Sequence, residues 1–154
     1  PFIVEAADNR ITVLGTHFNV NAYSDEDAVR TTLAEGSVKV SRGNSSTMIK
    51  PGEQAMLANG ETNFKIIHPD MEEVLAWKNG KFLFRNANAQ SIMRQLSRWY
   101  DVDINYKDDL SKIIFSGGIS RKDRIEKLIE LLELDGRMKL VLTGRELTIM
   151  RKEK

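Results

Sequence analysis

Residues 82–106 constrain the fold of this chain most strongly, because the hydrophobic period changes twice within 25 residues. Phe82 and Phe84 follow the period-two pattern of a half-buried strand. Asn88 is in position to cap a helix, since its side-chain oxygen can accept an orphan amide proton. The next apolar residues share one helical face: Ile92, Met93, Leu96, Trp99 and Tyr100. Period two returns over Val102–Tyr106, so the stretch predicts strand, helix and strand, without the pattern of a reaction centre.

The residues that follow predict the same unit again in outline. A strand over Ile113–Phe115 is expected to end at Gly117-Gly118. Ser120 is expected to cap the next helix, with Asp123 in the position of a capping box. That helix has aliphatic residues at helical spacing: Ile125, Leu128, Ile129, Leu132 and Leu134. It is expected to end at Asp135-Gly136, because glycine is the usual residue after a helix.

A closing hairpin is predicted from Met138–Thr143 and Glu146–Arg151, joined at Gly144. The second half therefore reads β-α-β-β-α-β-β. We expect a small α+β domain in which both helices pack on one face of a single open sheet.

The first half of the chain has no helical periodicity and predicts short strands only. These are Ile11–Leu14, Phe18–Tyr23, Val29–Leu33, Val38–Ser41, Met48–Lys50, Ala55–Leu57 and Phe64–Ile67. Glycine, proline and asparagine separate them at roughly 8–12 residue spacing, which favours an all-β sandwich, a barrel or a short-stranded solenoid.

The composition changes character over residues 69–79, where Pro69-Asp70 opens a short amphipathic stretch that stops at Gly80. We expect a connecting helix of one or two turns there. The predicted organisation is a β domain over residues 1–68, a connecting helix over 69–79 and an α+β domain over 80–154.

Composition excludes several functional classes. The 23 basic and 22 acidic residues are interspersed and give a formal charge of +1, which argues against a nucleic-acid partner. No apolar run approaches the roughly 18 residues of a membrane span. The chain has no cysteine, so it has no thiolate nucleophile and no cysteine-ligated metal. The start at Pro1 leads us to expect a soluble piece of a longer protein.

No cluster in the sequence predicts catalysis, a metal or a cofactor. His17 and His68 fall on different predicted elements without further ligands at metal-binding spacing. Asp25-Glu26-Asp27 and Glu72-Glu73 could form a carboxylate pair of the kind that hydrolyses glycosides, but solvated turn charges explain them better. Ser45-Ser46 lies in a predicted turn without a nucleophile elbow. We therefore expect no catalytic, cofactor-binding or metal-binding residues, and no enzyme.

Five phrases resemble a known family. Val13–Val20, Thr32–Val40 and Lys50–Ala55 resemble the FecR domain, the periplasmic core of FecR-type anti-sigma factors. Trp77–Phe82 and Leu96–Val102 resemble the C-terminal extension of the Bacteroidetes branch of that family, which is similar to the STN domain. The resemblance covers nearly the whole chain.

The resemblance implies the periplasmic region of a single-pass inner-membrane anti-sigma factor. Its expected partner is the signalling domain of a TonB-dependent outer-membrane transducer. An extracytoplasmic-function sigma factor would be bound through a cytoplasmic segment that this chain lacks. The alternative is an STN-like structural adaptor of an envelope channel or secretion assembly, which would self-associate. A carbohydrate-binding or hydrolysing module is a third possibility and would need an aromatic-lined cleft.

The expected partner-binding surface is the edge of the open sheet. The last predicted strand would accept a strand of the partner through its main chain. Its residues are Glu146, Leu147, Thr148, Ile149, Met150 and Arg151. Trp99 and Tyr100 could form a binding hot spot, but their place on an apolar helical stripe favours the core. Gly117-Gly118 lacks the further glycines and the lysine of a phosphate-binding loop.

Overall fold

A computed structural model describes residues 1–153 of the chain. These residues form two compact units, which divide between Leu75 and Ala76, inside the segment predicted to connect two domains. Lys154, the last residue of the predicted α+β domain and of its charged tail, lies outside the described residues. Within residues 1–153, no helix has both the length and the apolar character needed to span a membrane.

The first unit contains eight strands in two antiparallel four-stranded sheets. The strands are β1 (Phe2–Ala6), β2 (Asn9–Val13), β3 (His17–Asn21), β4 (Ala28–Glu35), β5 (Val38–Arg42), β6 (Ser45–Ile49), β7 (Gln54–Ala58) and β8 (Lys65–Ile67). One sheet has the order β1-β2-β5-β6 and the other β3-β4-β7-β8. Both sheets contribute buried side chains to one core, so the all-β prediction takes the form of two packed sheets.

The pattern of each strand explains which side chains enter this core. Ile11 and Val13 on β2 are buried, as are Val38 and Val40 on β5, while Lys39 between the latter two is exposed. This alternation is the period-two signal from which the strands were predicted. All seven predicted strands of this half are present with boundaries shifted by a few residues.

Strand β1 is absent from the sequence-based prediction. It pairs with β2 through a two-residue turn in which Ala7 and Asp8 both have positive φ angles, of 48° and 65°. Such a turn normally contains asparagine or aspartate followed by glycine. Alanine at the first position hides the hairpin from sequence inspection.

The connector contains the short helix α1 (Met71–Leu75), which continues into a 3₁₀ turn over Ala76–Asn79. The Asp70 carboxylate accepts a hydrogen bond from the Glu73 amide at 3.2 Å and so caps α1. Gly80 ends the segment with a φ of 68°. The helical turns predicted for residues 69–79 are therefore present.

The second unit follows the order β-α-β-β-α-β-β. Its elements are β9 (Lys81–Asn88), α2 (Ala89–Tyr100), β10 (Asp103–Tyr106), β11 (Ile114–Ser120), α3 (Ile125–Glu133), β12 (Met138–Thr143) and β13 (Glu146–Arg151). The Asn88 side chain caps α2, as predicted, by accepting a hydrogen bond from the Ser91 amide at 2.8 Å. Phe82, Phe84 and the apolar faces of both helices meet in one core.

The strands of this unit form two sheets rather than the single open sheet that we predicted. β9 and β11 pair alone, while the other sheet has the order β10-β13-β12. β13 is hydrogen-bonded to β10 in parallel and to β12 antiparallel. The prediction that Glu146–Arg151 is an edge strand is therefore wrong, because neighbours occupy both of its sides.

The segment around Gly117-Gly118 also differs from the prediction. β11 runs through both glycines to Ser120, so the strand does not end there. Ser120 is consequently a strand residue and not the cap of α3. Arg124 occupies the N-cap position and makes no capping hydrogen bond through its side chain. A glycine pair signals a turn in sequence, but here a register shift between Phe115 and Gly117 accommodates the pair within the strand.

Candidate protein-interaction site

The six residues predicted to bind a partner, Glu146–Arg151, form the centre of the three-stranded sheet. Leu147 and Ile149 are 0% exposed and face the core. Arg151 donates two hydrogen bonds from its guanidinium to the Asp109 carbonyl, at 3.0 and 2.8 Å. Because the main chain of this strand pairs on both sides, no further strand can add to it.

The outer strands of the two sheets, β9, β11, β10 and β12, are the remaining candidates for such an addition. Natural edge strands usually contain charged residues that prevent unspecific pairing. β9 contains Lys81 and Arg85, β10 contains Asp103 and β12 contains Lys139. β11, over Ile114–Ser120, contains no charged residue and no proline. It is the outer strand of this unit without that protection.

The main chain of β11 exposes hydrogen-bonding groups at Gly118. The Arg121 amide donates to the Gly80 carbonyl at 2.8 Å, which continues the antiparallel register of β11 with β9. Residues in such a pair alternate between facing the partner strand and facing away. Ile119 therefore directs its amide and carbonyl toward β9, and Gly118 directs them outward. Within residues 1–153, no strand pairs with this outer side of β11.

A groove of about 380 Å³ lies between this part of β11 and helix α3. Gly118 and Ser120 belong to its strand side, and Leu131 and Leu134 to its helix side. Leu134 is 79% exposed. The groove thus combines an apolar surface with unused main-chain groups.

An aromatic cluster lies where β11 ends. The Phe82 ring lies 6.1 Å from the Tyr100 ring and 6.4 Å from the Trp99 ring between centroids. Trp99 is 51% exposed and Tyr100 is half-buried, so the prediction that both fill the core is wrong for Trp99. Trp99 lies at the margin of the apolar stripe of α2. Of the three rings, Phe82 alone is fully buried.

Arg121 fixes the geometry of this cluster. Its guanidinium carbon lies 4.0 Å from the Phe82 ring centroid and 5.1 Å from that of Trp99. Its Nε donates to the Lys81 carbonyl at 3.1 Å, and its own carbonyl accepts from the Trp99 indole at 3.0 Å. The exposed indole face is thus held rigidly, as in interface hot spots. Sequence inspection missed Arg121, because its ring partners are distant in sequence.

The Tyr100 hydroxyl donates to the Asp123 carbonyl at 2.9 Å. Burial, followed by the negative charge of Asp123, raises the pKa of Tyr100 above its ordinary value of 10.0. The phenol is therefore neutral at physiological pH and acts as a hydrogen-bond donor that joins α2 to the segment after β11.

The polar residues considered for catalysis have simple structural roles. His17 Nδ1 lies 2.8 Å from a Glu35 carboxylate oxygen, and His68 Nε2 lies 3.8 Å from one of Glu53. The Asp27 carboxylate accepts a hydrogen bond from Arg30 at 2.8 Å. Among the described residues, no three metal-ligating side chains come together.

The two remaining candidates from the sequence, an acidic pair and a serine pair, also have structural explanations. Glu72-Glu73 lies in the first turn of α1, where acidic residues favour the helix. Ser45-Ser46 lies at the start of strand β6, and not in the turn predicted for it.

Comparison with known families gives a match for the second unit. Residues 81–149 match the family model described as FecR, C-terminal. This range begins with β9 and reaches into β13, so it includes the groove and the Trp99–Arg121 cluster. No curated protein matches the sequence closely enough to count as a relative.

Two crystal structures of a candidate anti-sigma factor from Parabacteroides distasonis are similar in fold. Their TM-scores are 0.84 and 0.83, with 22% sequence identity in both cases. Each alignment covers 99% of this chain and 72% of the other chain. By sequence, the second unit is therefore similar to FecR C-terminal domains, and by fold the chain is similar to that anti-sigma factor.

Proposed function

We propose that this chain is the periplasmic sensor region of a FecR-type transmembrane anti-sigma factor. It would receive a signal from a TonB-dependent outer-membrane transducer and relay it to an extracytoplasmic-function sigma factor. The observation that carries this proposal is the match of residues 81–149 to the FecR C-terminal model. The shared fold with a candidate anti-sigma factor supports it.

Signal transfer in this proposal proceeds by protein contact without a covalent step. Residues 1–68 would be the FecR-like domain, and the STN-like second unit would bind the signalling domain of the transducer. Two features support the second unit as the binding part. Strand β11 has an uncharged outer edge, and Trp99 exposes half of its surface while Arg121 holds it in place.

Calorimetric titration of the 154-residue chain with the signalling domains of TonB-dependent transducers encoded in the same genome tests the proposal. We expect saturable binding with one-to-one stoichiometry. Trp99→Ala should weaken binding at least tenfold, because a rigid exposed tryptophan is a typical hot spot. Trp77→Ala provides a matched control, since Trp77 is exposed to a similar extent, 50% against 51%. Absence of binding to any transducer domain of the same genome would contradict the proposal.

A structural adaptor is the second candidate, because the same uncharged edge could join copies of the chain. Sedimentation velocity at two protein concentrations separates the two functions. The sensor should remain monomeric until the transducer domain is added. An adaptor should assemble alone as its concentration rises.

A further inference from the structure

We infer that the partner adds an extended segment as a new strand on the outer edge of β11. An apolar side chain of this segment enters the groove beside α3, and a basic side chain lies next to Glu130. The inference rests on the proposed function, since it specifies how the same site would receive its partner. It also replaces the edge on β13, which the sheet order excludes.

The first reason to place the added strand on β11 is the glycine at position 118. A Cβ atom on Gly118 would lie 3.4 Å from the Phe82 carbonyl oxygen and 3.5 Å from a Leu83 methyl carbon, which are ordinary contacts. At Gly117, in contrast, a Cβ would lie 2.9 Å from the Phe115 ring. Internal packing thus requires glycine at 117 but not at 118. Glycine inside a strand often marks a place where another backbone approaches closely.

The second reason is the length of the unpaired edge of β11. The Arg137 guanidinium donates to the Ile114 carbonyl at 2.5 Å and occupies one end of β11. The Ser120 carbonyl accepts from the Asp123 amide at 3.1 Å and closes the other end. About five residues remain between them, which is the usual length of a short strand. The edge therefore fits a short extended segment.

The groove determines which side chains this segment needs. Because strand residues alternate in direction, every second residue of the added segment faces α3. Leu131 and Leu134 favour an aliphatic residue at that position, where it would cover the exposed Leu134 side chain. A groove of about 380 Å³ accommodates one or two such side chains.

The charges on α3 determine the polar residue of the segment. Lys127 lies 3.5 Å from the Asp123 carboxylate and is partly neutralised by it. Glu130 also lines the groove and forms no ion pair with another of residues 1–153. A basic side chain would be attracted to Glu130, and an acidic one would be repelled. The face of the partner segment toward α3 therefore contains an apolar and a basic residue two positions apart.

Two substitutions test the edge and the groove in the complete chain. Gly118→Pro removes the outward amide but leaves the pairing with β9, and Leu134→Glu places a charge in the groove. We expect each to weaken binding of the transducer signalling domain at least tenfold. Leu14→Glu is the matched control, because Leu14 is 72% exposed against 79% for Leu134 and lies in the first unit. Thermal unfolding verifies that the variants fold.

Charge reversal on α3 tests the basic residue. Glu130→Lys should weaken binding about fivefold, whereas Glu126→Lys on the same helix, outside the groove, should change it less than twofold. A wild-type chain that binds the signalling domain, with Gly118→Pro and Leu134→Glu binding equally well, would overturn the inference and leave the proposed function intact.

A peptide experiment tests the inference independently of the transducer. Nuclear magnetic resonance of the labelled chain would be recorded with a blocked peptide in which valine and lysine lie two positions apart, separated by threonine, and with its glutamate counterpart. We expect the lysine peptide to shift amide signals of residues 115–120 and of α3, and the glutamate peptide to shift them far less. Unchanged signals with both peptides would overturn the inference. So would a dimer of the chain that Gly118→Pro dissociates, since the edge would then bind a second copy.

Discussion

Replacement of Phe82 by leucine removes the ring on which the aromatic cluster is built and keeps most of the buried volume. Phe82 is 1% exposed, and its ring has three aromatic neighbours with centroids at 5.9 to 6.4 Å. The Arg121 guanidinium lies 4.0 Å from its centroid. Aromatic pairs contribute about 0.5–1.5 kcal/mol beyond buried area, and a cation on a ring contributes about 0.5–1 kcal/mol where it is partly exposed.

We expect Phe82→Leu to lower the unfolding free energy by about 2–3 kcal/mol, because these contacts share one ring and are not additive. Phe82→Ala should cost about 4–5 kcal/mol, since it also leaves a cavity. Urea denaturation followed by tryptophan fluorescence measures the change. Both tryptophans, Trp77 and Trp99, belong to the second unit, so this signal reports on that unit.

Leu83→Ala is the matched control, because Leu83 is half-buried on the other face of the same strand. We expect it to cost about 1 kcal/mol or less, as partly exposed positions usually do. A loss below about 0.5 kcal/mol for Phe82→Leu would refute the reasoning, because burial alone would then explain the position. Far-UV circular dichroism of each variant at the transition midpoint verifies the fluorescence result.

Three further predictions concern other parts of the chain. Asn88→Ala should lower the unfolding free energy in urea by about 1 kcal/mol through loss of the cap on α2, and Asn88→Asp should restore most of it. Gly36 has a φ of 95°, so Gly36→Ala should cost about 1–3 kcal/mol by circular dichroism. Gly43→Asn, at a φ of 56° in open space, should cost less. Because burial raises the pKa of Tyr100, the unfolded chain loses this proton first. Stability should therefore fall as the pH rises above about 10, and less steeply in Tyr100→Phe.

The sequence predicted the bounds of the helices and strands in the second unit far better than it predicted which strands pair with each other. The hairpin Met138–Thr143 and Glu146–Arg151 is present with the predicted bounds. Its place in the sheet was not predictable, because β10 pairs in parallel with β13 across two intervening strands and a helix. Periodicity reports which face of a strand is buried but not which strand lies beside it.

In the candidate site, too, individual residues could be recognised from the sequence, but their surroundings could not. Trp99 was recognised as a residue of interest, but its exposure depends on the end of α2 and on Arg121, which no local pattern relates to it. Gly117-Gly118 resembled a turn, because glycine pairs usually end strands. Only the pairing of β11 with β9 reveals that Gly118 lies inside a strand with a free outer side.

The central position of β13 has a consequence for synthesis of the chain. Leu147 and Ile149 complete the core, and their strand joins β10 to β12. A nascent polypeptide that has reached only Gly144 leaves these two strands unconnected and the core without Leu147 and Ile149. The second unit therefore completes its fold only once residues 146–151 have emerged from the ribosome. Until then the incomplete core is a place where chaperones or other nascent chains can bind.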